Sequence, residues 1–209
     1  MKNNIGLVEH CEKALAEGWG YVYGTYGKVL TPDLLGRKLT QYPDSIRKYK
    51  DYIQKNYMGK RVVDCVGLIK AFAWWVDGEP VYTAKSDKSA NGMFDAAEIK
   101  GSVSVFPELP GVCLWKSGHV GVYVGGGRVI EAKGTKYGVI ETPLKGWGST
   151  KWTHWFFCPY IDYVSAAAVY KAIILKHTPF TDSEGIWKSV YTHKYPEEWL
   201  KKWAESYKR

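Results

Sequence analysis

Cys65 follows Asp64 directly and heads an apolar stripe, Leu68, Ile69, Phe72 and Val76, whose spacing predicts a helix beginning near Asp64. Backbone N–H groups at a helix N-terminus favour an anion and lower a thiol's pKa, which suits a nucleophile. A buried structural cysteine fits the same place, and Asp64 reads equally as a plain helix cap. His119 opens the run HVGVYVGGG, and Glu131 lies in the following run, RVIEA. If Gly125 to Gly127 form a three-residue turn, Val124 faces Arg128 and Glu131 faces Gly121, diagonal to His119 on the same side of a hairpin. Diagonal neighbours stand ~7–8 Å apart, within reach of long side chains. A two-residue turn changes the parity and separates the pair, and a His and a Glu on one strand face also fit a surface pair. Taken together, the three residues supply a nucleophile, a base and an orienter for thiol acyl transfer. His119 would hold the thiolate as an ion pair and then protonate a leaving amine. Glu131 would fix the imidazole tautomer, and the Cys65 N–H would face the oxyanion.

The elements that must position these groups are legible from periodicity. Ile5, Val8, Cys11 and Leu15 mark a first helix ended near Gly18. GWGYVYGTYG reads as turn or loop. Asp44 and Ser45 can cap a helix with Ile46, Tyr49 and Ile53 on one face. Asp77 to Ser102 reads mostly as loop. Val112–Trp115, Val120–Val124 and Arg128–Ala132 form a β-meander that turns Val120, Val122, Val124 and Ile130 into the core, with further strands over Val139–Thr142 and Thr153–Ile161. Val164 to Leu175 fits a buried helix, and Glu197 to Lys208 a last one. Helices, then an antiparallel sheet, then helices make an α+β chain.

Apolar and charged fractions of 45% and 24% over 209 residues are those of a globular chain large enough to hold a core without disulfide staples. No run approaches a membrane span. Cys11, Cys65, Cys113 and Cys158 form no C-x-x-C pair and there is no H-E-x-x-H, so neither metal nor cofactor is expected. The net charge of +8 favours polyanions. No helix-turn-helix, zinc-finger or RNP pattern points to nucleic acid. Much of the charge lies between Gly36 and Arg61, where eight cations meet only Asp44 and Asp51. No secretory h-region is visible at the N-terminus, so the cysteines are expected to stay reduced in a cytoplasmic protein.

In this order, GWGYVYGTYG, RVVDCVGLIKAF, ELPGVCLWKSGHVGVYVGGGRVIEAKG and WTHWFFCPYI resemble the successive motifs of NlpC-type peptidases, papain-like cysteine enzymes of the kind found in phage lysins. The likeness spans roughly Gly18 to Tyr163. It implies a papain-like α+β fold over 1–163 and hydrolysis of peptidoglycan stem peptides, commonly between D-γ-glutamyl and a diamino acid. Cys65 then matches the nucleophile, His119 the base and Glu131 the third polar residue, often His in the family. Tyr21 matches a pocket tyrosine, and Asp64 a residue that binds the substrate's free amine. Val66 stands where Ser is usual, and Tyr23 where Trp is. About forty residues separate the tyrosine motif from Cys65, an excess that coincides with the basic segment. Read as an insertion over 36–61 beside the cleft, that segment would bind anionic wall polymer.

His154 is a rival for the third position. Residues 164–209 fall outside the resemblance and read as a helical appendage of unknown role, its Trp187, Trp199 and Trp203 serving either packing or sugar stacking. The phage-type likeness implies a protein that stays in the cytoplasm until it is released to the wall. An N-acetylmuramoyl-L-alanine amidase, a papain-like acyltransferase and a non-catalytic wall-binding module are the competing readings.

Overall fold

The computed structural model describes residues 2–165, 168, 171, 174, 175 and 196–206. It divides into two units, Met1–Asp162 and Tyr163–Arg209. Asn3 caps α1 (Asn4–Ala16) by accepting from the Gly6 N–H. Gly18, at φ 62°, turns the chain into β1 (Gly20–Tyr21), and β2 (Tyr26–Val29) follows. The tyrosine- and glycine-rich stretch expected to be loop is thus two short strands around a tight turn. Three helical pieces come next: α2 (Pro32–Gln41), α3 (Pro43–Ile46) and α4 (Lys50–Tyr57), the last two joined by a 3₁₀ turn at Arg47–Tyr49. β3 (Arg61–Val63) pairs parallel to β1 and antiparallel to β2.

After Asp64 comes α5 (Cys65–Ala73). The hairpin of β4 (Trp75–Val76) and β5 (Glu79–Pro80) follows, so Val76 leaves the predicted helical stripe and is exposed. α6 (Ala90–Asp95) and β6 (Lys100–Ser102) punctuate the stretch read as loop. The meander is β7 (Cys113–Lys116), β8 (His119–Gly125), β9 (Arg128–Gly134) and β10 (Gly138–Pro143), and β11 (His154–Phe156) closes the unit. These strands form one antiparallel sheet in the order β10-β9-β8-β7-β11-β6. The run Thr153–Ile161 contributes only β11.

Both sheet faces are covered. Leu7, Val8 and Cys11 of α1 and Leu68 and Ile69 of α5 pack on Val120, Val122, Val124, Ile130 and Ala132, all buried. Each large aliphatic group so placed contributes about 1.5–3 kcal/mol. The opposite face carries Leu114, Tyr123, Val129, Leu144 and Trp152. The basic segment has a core of its own, in which Leu35, Ile46, Ile53 and Tyr57 pack on Val22, Leu30 and Val62. The single helix expected from Asp44 is broken after Ile46. Arg61 of that segment is a tether: its guanidinium donates to the carbonyls of Gly27 and Gly78 and pairs with Glu79 at 2.8 Å.

In the second unit, Ala168, Lys171, Ile174 and Leu175 are helical, and α7 spans Pro196–Ser206. Trp187 and the Trp199 side chain lie outside the described residues. Among the described residues, no helix is long and apolar enough to cross a membrane.

His10 of α1 generates a pH-dependent stability. Its ring sits 5.3 Å from Trp19, 5.7 Å from Phe72 and 5.8 Å from Trp75, centroid to centroid, and its buried Nε2 has no partner. Burial pushes its pKa down to about 4, against an ordinary value of 6.5. The unfolded chain therefore takes up this proton before the folded one, and stability is lost as pH falls from about 6.5 toward 4. The melting temperature of the native protein is expected to drop by roughly 3–8 °C more than that of His10→Phe across this window. Parallel melting curves for the two proteins would contradict the assignment.

Candidate active site

Asp64 follows β3 and caps α5. Its Oδ1 accepts from the Gly67 N–H at 2.6 Å and its Oδ2 from the Gly24 N–H at 2.9 Å, tying the helix to the β1–β2 turn. A Cβ at Gly67 would collide with the Thr25 carbonyl, so glycine is what lets α5 approach β2 this closely. Asp64 thus acts as a cap, and it also lines the cleft. Burial raises its pKa, opposed by the Gly67 and Gly24 amides and by Lys70 and Lys38.

The hairpin carrying His119 reaches the expected side arrangement by another route. Gly125 pairs with Arg128 across a two-residue turn, Gly126–Gly127, both in the left-handed region. Alone, this would place Glu131 on the wrong face. A bulge between Tyr123 and Gly125 restores the parity, pairing Tyr123 with Val129 and Val122 with Ile130. His119 Nε2 and Glu131 Oε2 then meet at 2.6 Å. Glu131 is fully buried, so the surface-pair alternative fails. Its Oε1 accepts from Thr142 Oγ1 at 2.7 Å and from Thr150 Oγ1. Burial acts to raise its pKa, but the hydrogen bonds from His119, Thr150 and Thr142 outweigh that and leave the pKa lowered.

Trp152 stacks on the His119 ring, with centroids 5.4 Å apart and planes 9° from parallel. The indole occupies the space a Cβ at Gly121 would need. Glycine at 121 leaves room on this face for the tryptophan that stacks on the imidazole. Thr142, Thr150 and Trp152 are the site residues that sequence reasoning missed. Thr150 and Trp152 lie beyond β10, where no periodicity points back to β8.

Cys65 begins α5, and the backbone N–H groups of Val120, Val66 and Cys65 itself act to lower its thiol pKa. Val120 follows His119 directly, so the thiol reaches the same end of β8 as the imidazole. The expected lowering of the thiol pKa is overturned. Burial, and then the Asp64 carboxylate, push it up to about 12 against the pull of those N–H groups. Removal from water outweighs the helix terminus, and at neutral pH the resting group is the thiol. Tyr21, on β1, is half-buried, and its hydroxyl is pushed up by burial and then by the proximity of Cys65 and Asp64. A cleft of about 580 Å³ is lined by Asp64, Cys65, Val66, Gly118, Tyr23 and Lys38, among others.

His154 lies elsewhere. On β11, beyond β7 from His119, it is 3.0 Å from Thr153 Oγ1 and packs against Phe94 and Trp115. Cys11, Cys113 and Cys158 are buried in the core. Among the described residues no cluster of His, Cys, Asp or Glu has the makings of a metal site.

No family model matches this sequence, and no curated protein does. Solved structures similar to it include NlpC/p60 domains and peptidoglycan hydrolases. The NlpC/p60 domain of the peptidoglycan hydrolase SagA is 18% identical, with 74% of this chain and 98% of that one covered and a TM-score of 0.40. The peptidoglycan hydrolase RipB from Mycobacterium tuberculosis is 16% identical over 77% of this chain and 67% of that one, at a TM-score of 0.40. The P60 domain of an M. avium subspecies paratuberculosis antigen is 18% identical over 77% and 98%, at 0.39. Likeness at this level says nothing of which residues act.

Replacing both hydroxyl donors, in Thr142→Val/Thr150→Val, is expected to raise the Glu131 pKa and to cost about 1.5–3 kcal/mol of stability at neutral pH for each lost bond to the carboxylate. Carboxyl ¹³C titration and denaturant unfolding read the two effects. An unmoved Glu131 titration would show that the threonines do not hold its charge.

Proposed function

We propose that this chain is a cell-wall hydrolase that cleaves amide bonds of peptidoglycan stem peptides, between D-γ-glutamyl and a diamino acid, through Cys65, His119 and Glu131. The observation that carries the reading is the pairing of His119 with the buried Glu131, next to the Val120 amide whose N–H acts on the Cys65 thiol. The order of motifs, similar to that of NlpC-type peptidases, supports the substrate class.

Glu131 engages Nε2 and so keeps that nitrogen protonated, leaving Nδ1 as the base. Because the resting sulfur is a thiol, Nδ1 removes its proton as the sulfur attacks the scissile carbonyl carbon. The C–S bond forms and the carbonyl π pair moves to oxygen, toward the Cys65 N–H. Collapse of the tetrahedral adduct breaks the C–N bond, and the imidazolium gives its proton to the departing amine. Water, deprotonated at Nδ1, then attacks the thioester, and the carboxylic acid and the thiol are released. Trp152 and Glu131 keep the ring in one orientation throughout, which shortens the search for reactive geometry. Asp64 and Tyr21 flank the sulfur as substrate-positioning groups. The exposed cations Arg47, Lys48 and Lys50 form no ion pair among the described residues and supply a salt-sensitive attraction to anionic wall polymer.

Digestion of defined peptidoglycan tests the reading. The native chain is expected to release fragments cut within the stem peptide, as read by mass spectrometry, and Cys65→Ala and His119→Ala to fall by at least about a thousandfold. Pelleting Cys65→Ala with intact walls in rising salt reads the association separately from turnover. Undiminished release by Cys65→Ala would overturn the mechanism, and a cut at the lactyl-amide would reassign the enzyme as an amidase.

A further inference from the structure

The cleft beside Cys65 is lined by five charged side chains, Lys38, Asp64, Lys70, Asp87 and Lys88, and four of them are accounted for. Lys70 Nζ pairs with Asp87 Oδ1 at 2.6 Å, and the Tyr82 hydroxyl donates to Asp87 Oδ2 at 3.0 Å. Asp64 is occupied by two backbone amides. Lys88 is exposed to water. Lys38, on α2, is different. It is half-buried, its Nζ donates to the neutral Gln41 Oε1 at 2.8 Å and lies 5.4 Å from the Tyr42 ring centroid, and it forms no ion pair among the described residues.

Lys38 also lines a second cavity of about 620 Å³, together with Lys28 and Arg37. Lys28 pairs with Glu79 at 3.6 Å and Arg37 with Asp33 at 3.2 Å, which leaves Lys38, where the two cavities meet, as the cation of the three without an ion pair among the described residues. An ammonium that has given up part of its hydration gains most when an anion arrives to replace it. Burial lowers the Lys38 pKa while Asp64 and Asp87 oppose this, so a carboxylate placed against Nζ also restores the charged form.

We infer that Lys38 is a specificity residue that binds the free α-carboxylate of the γ-linked residue on the acyl side of the scissile bond. The inference rests on the hydrolase reading for the identity of the ligand, and on the cleft alone for the site. Cys65 and Lys38 line one cavity, so the anion that Lys38 meets belongs to the peptide whose carbonyl Cys65 attacks. In a γ-linked acyl donor the α-carboxylate is a few bonds from that carbonyl.

The test compares L-alanyl-γ-D-glutamyl-L-lysine with its α-carboxamide analogue. The native chain is expected to favour the acid over the amide by roughly ten- to a hundredfold in kcat/KM. Lys38→Met loses that preference through a raised KM for the acid alone, and Lys38→Arg keeps part of it. Calorimetry on Cys65→Ala, with and without Lys38→Met, reads the same discrimination in binding without turnover. A preference that survives Lys38→Met, or equal losses on both peptides, overturns the assignment. Discrimination by Cys65→Ala that depends on Lys38, with no hydrolysis by the native chain, retires the enzyme and keeps the site. Hydrolysis without discrimination does the reverse.

Discussion

A carboxylate removed from water in the middle of a sheet is tolerable only where donors surround it, and Glu131 has three side-chain donors on its two oxygens. Thr142 comes from the neighbouring strand, Thr150 from the segment after it, and His119 from the strand on the other side. This arrangement makes the imidazole orientation a consequence of folding rather than of side-chain chance. Were Glu131 protonated, one oxygen would become a donor facing hydroxyls that also prefer to donate, and the ring would lose its anchor. The sheet therefore favours the charged form of Glu131 and sets the orientation of the His119 ring together.

The sulfur is held by a different device. Asp64 uses both oxygens on backbone amides, one inside α5 and one in the β1–β2 turn, so the start of the helix cannot drift from the tyrosine strand. The cap sits next to the thiol, and its negative charge adds to burial in keeping the proton on sulfur. Position and reactivity thus oppose each other at Cys65. The thiol is well placed but reluctant to ionise, and chemistry at neutral pH requires a base at hand. In the mechanism proposed above, His119 is then a participant in the first proton transfer rather than the partner of a standing ion pair.

Much of this arrangement was legible in the chain. Alternation along HVGVYVG and RVIEA separates core valines from polar positions whatever the turn, and the apolar stripe after Cys65 marks α5. The turn itself is not legible. Three consecutive glycines fit either loop length, and the bulge that restores the register has no local sequence mark. GWGYVYGTYG carries no strand signal because its strands are only two and four residues long and owe their existence to pairing with β3. Trp152 and Thr150 were invisible for a related reason: each acts across the sheet from a segment without periodicity. At Cys65 the helix terminus can be read from sequence, whereas the desolvation that raises the thiol pKa depends on what covers it.

The claim on which the rest depends is that Glu131 holds the Nε2 proton of His119 and leaves Nδ1 bare toward the sulfur. Imidazole ¹⁵N NMR of the native chain and of Cys65→Ala, near neutral pH, measures this directly. The account predicts a single Nε2–H tautomer in both proteins, with the Nδ1 resonance moving when the sulfur is removed. A proton on Nδ1, or an Nδ1 resonance indifferent to the loss of sulfur, would contradict it.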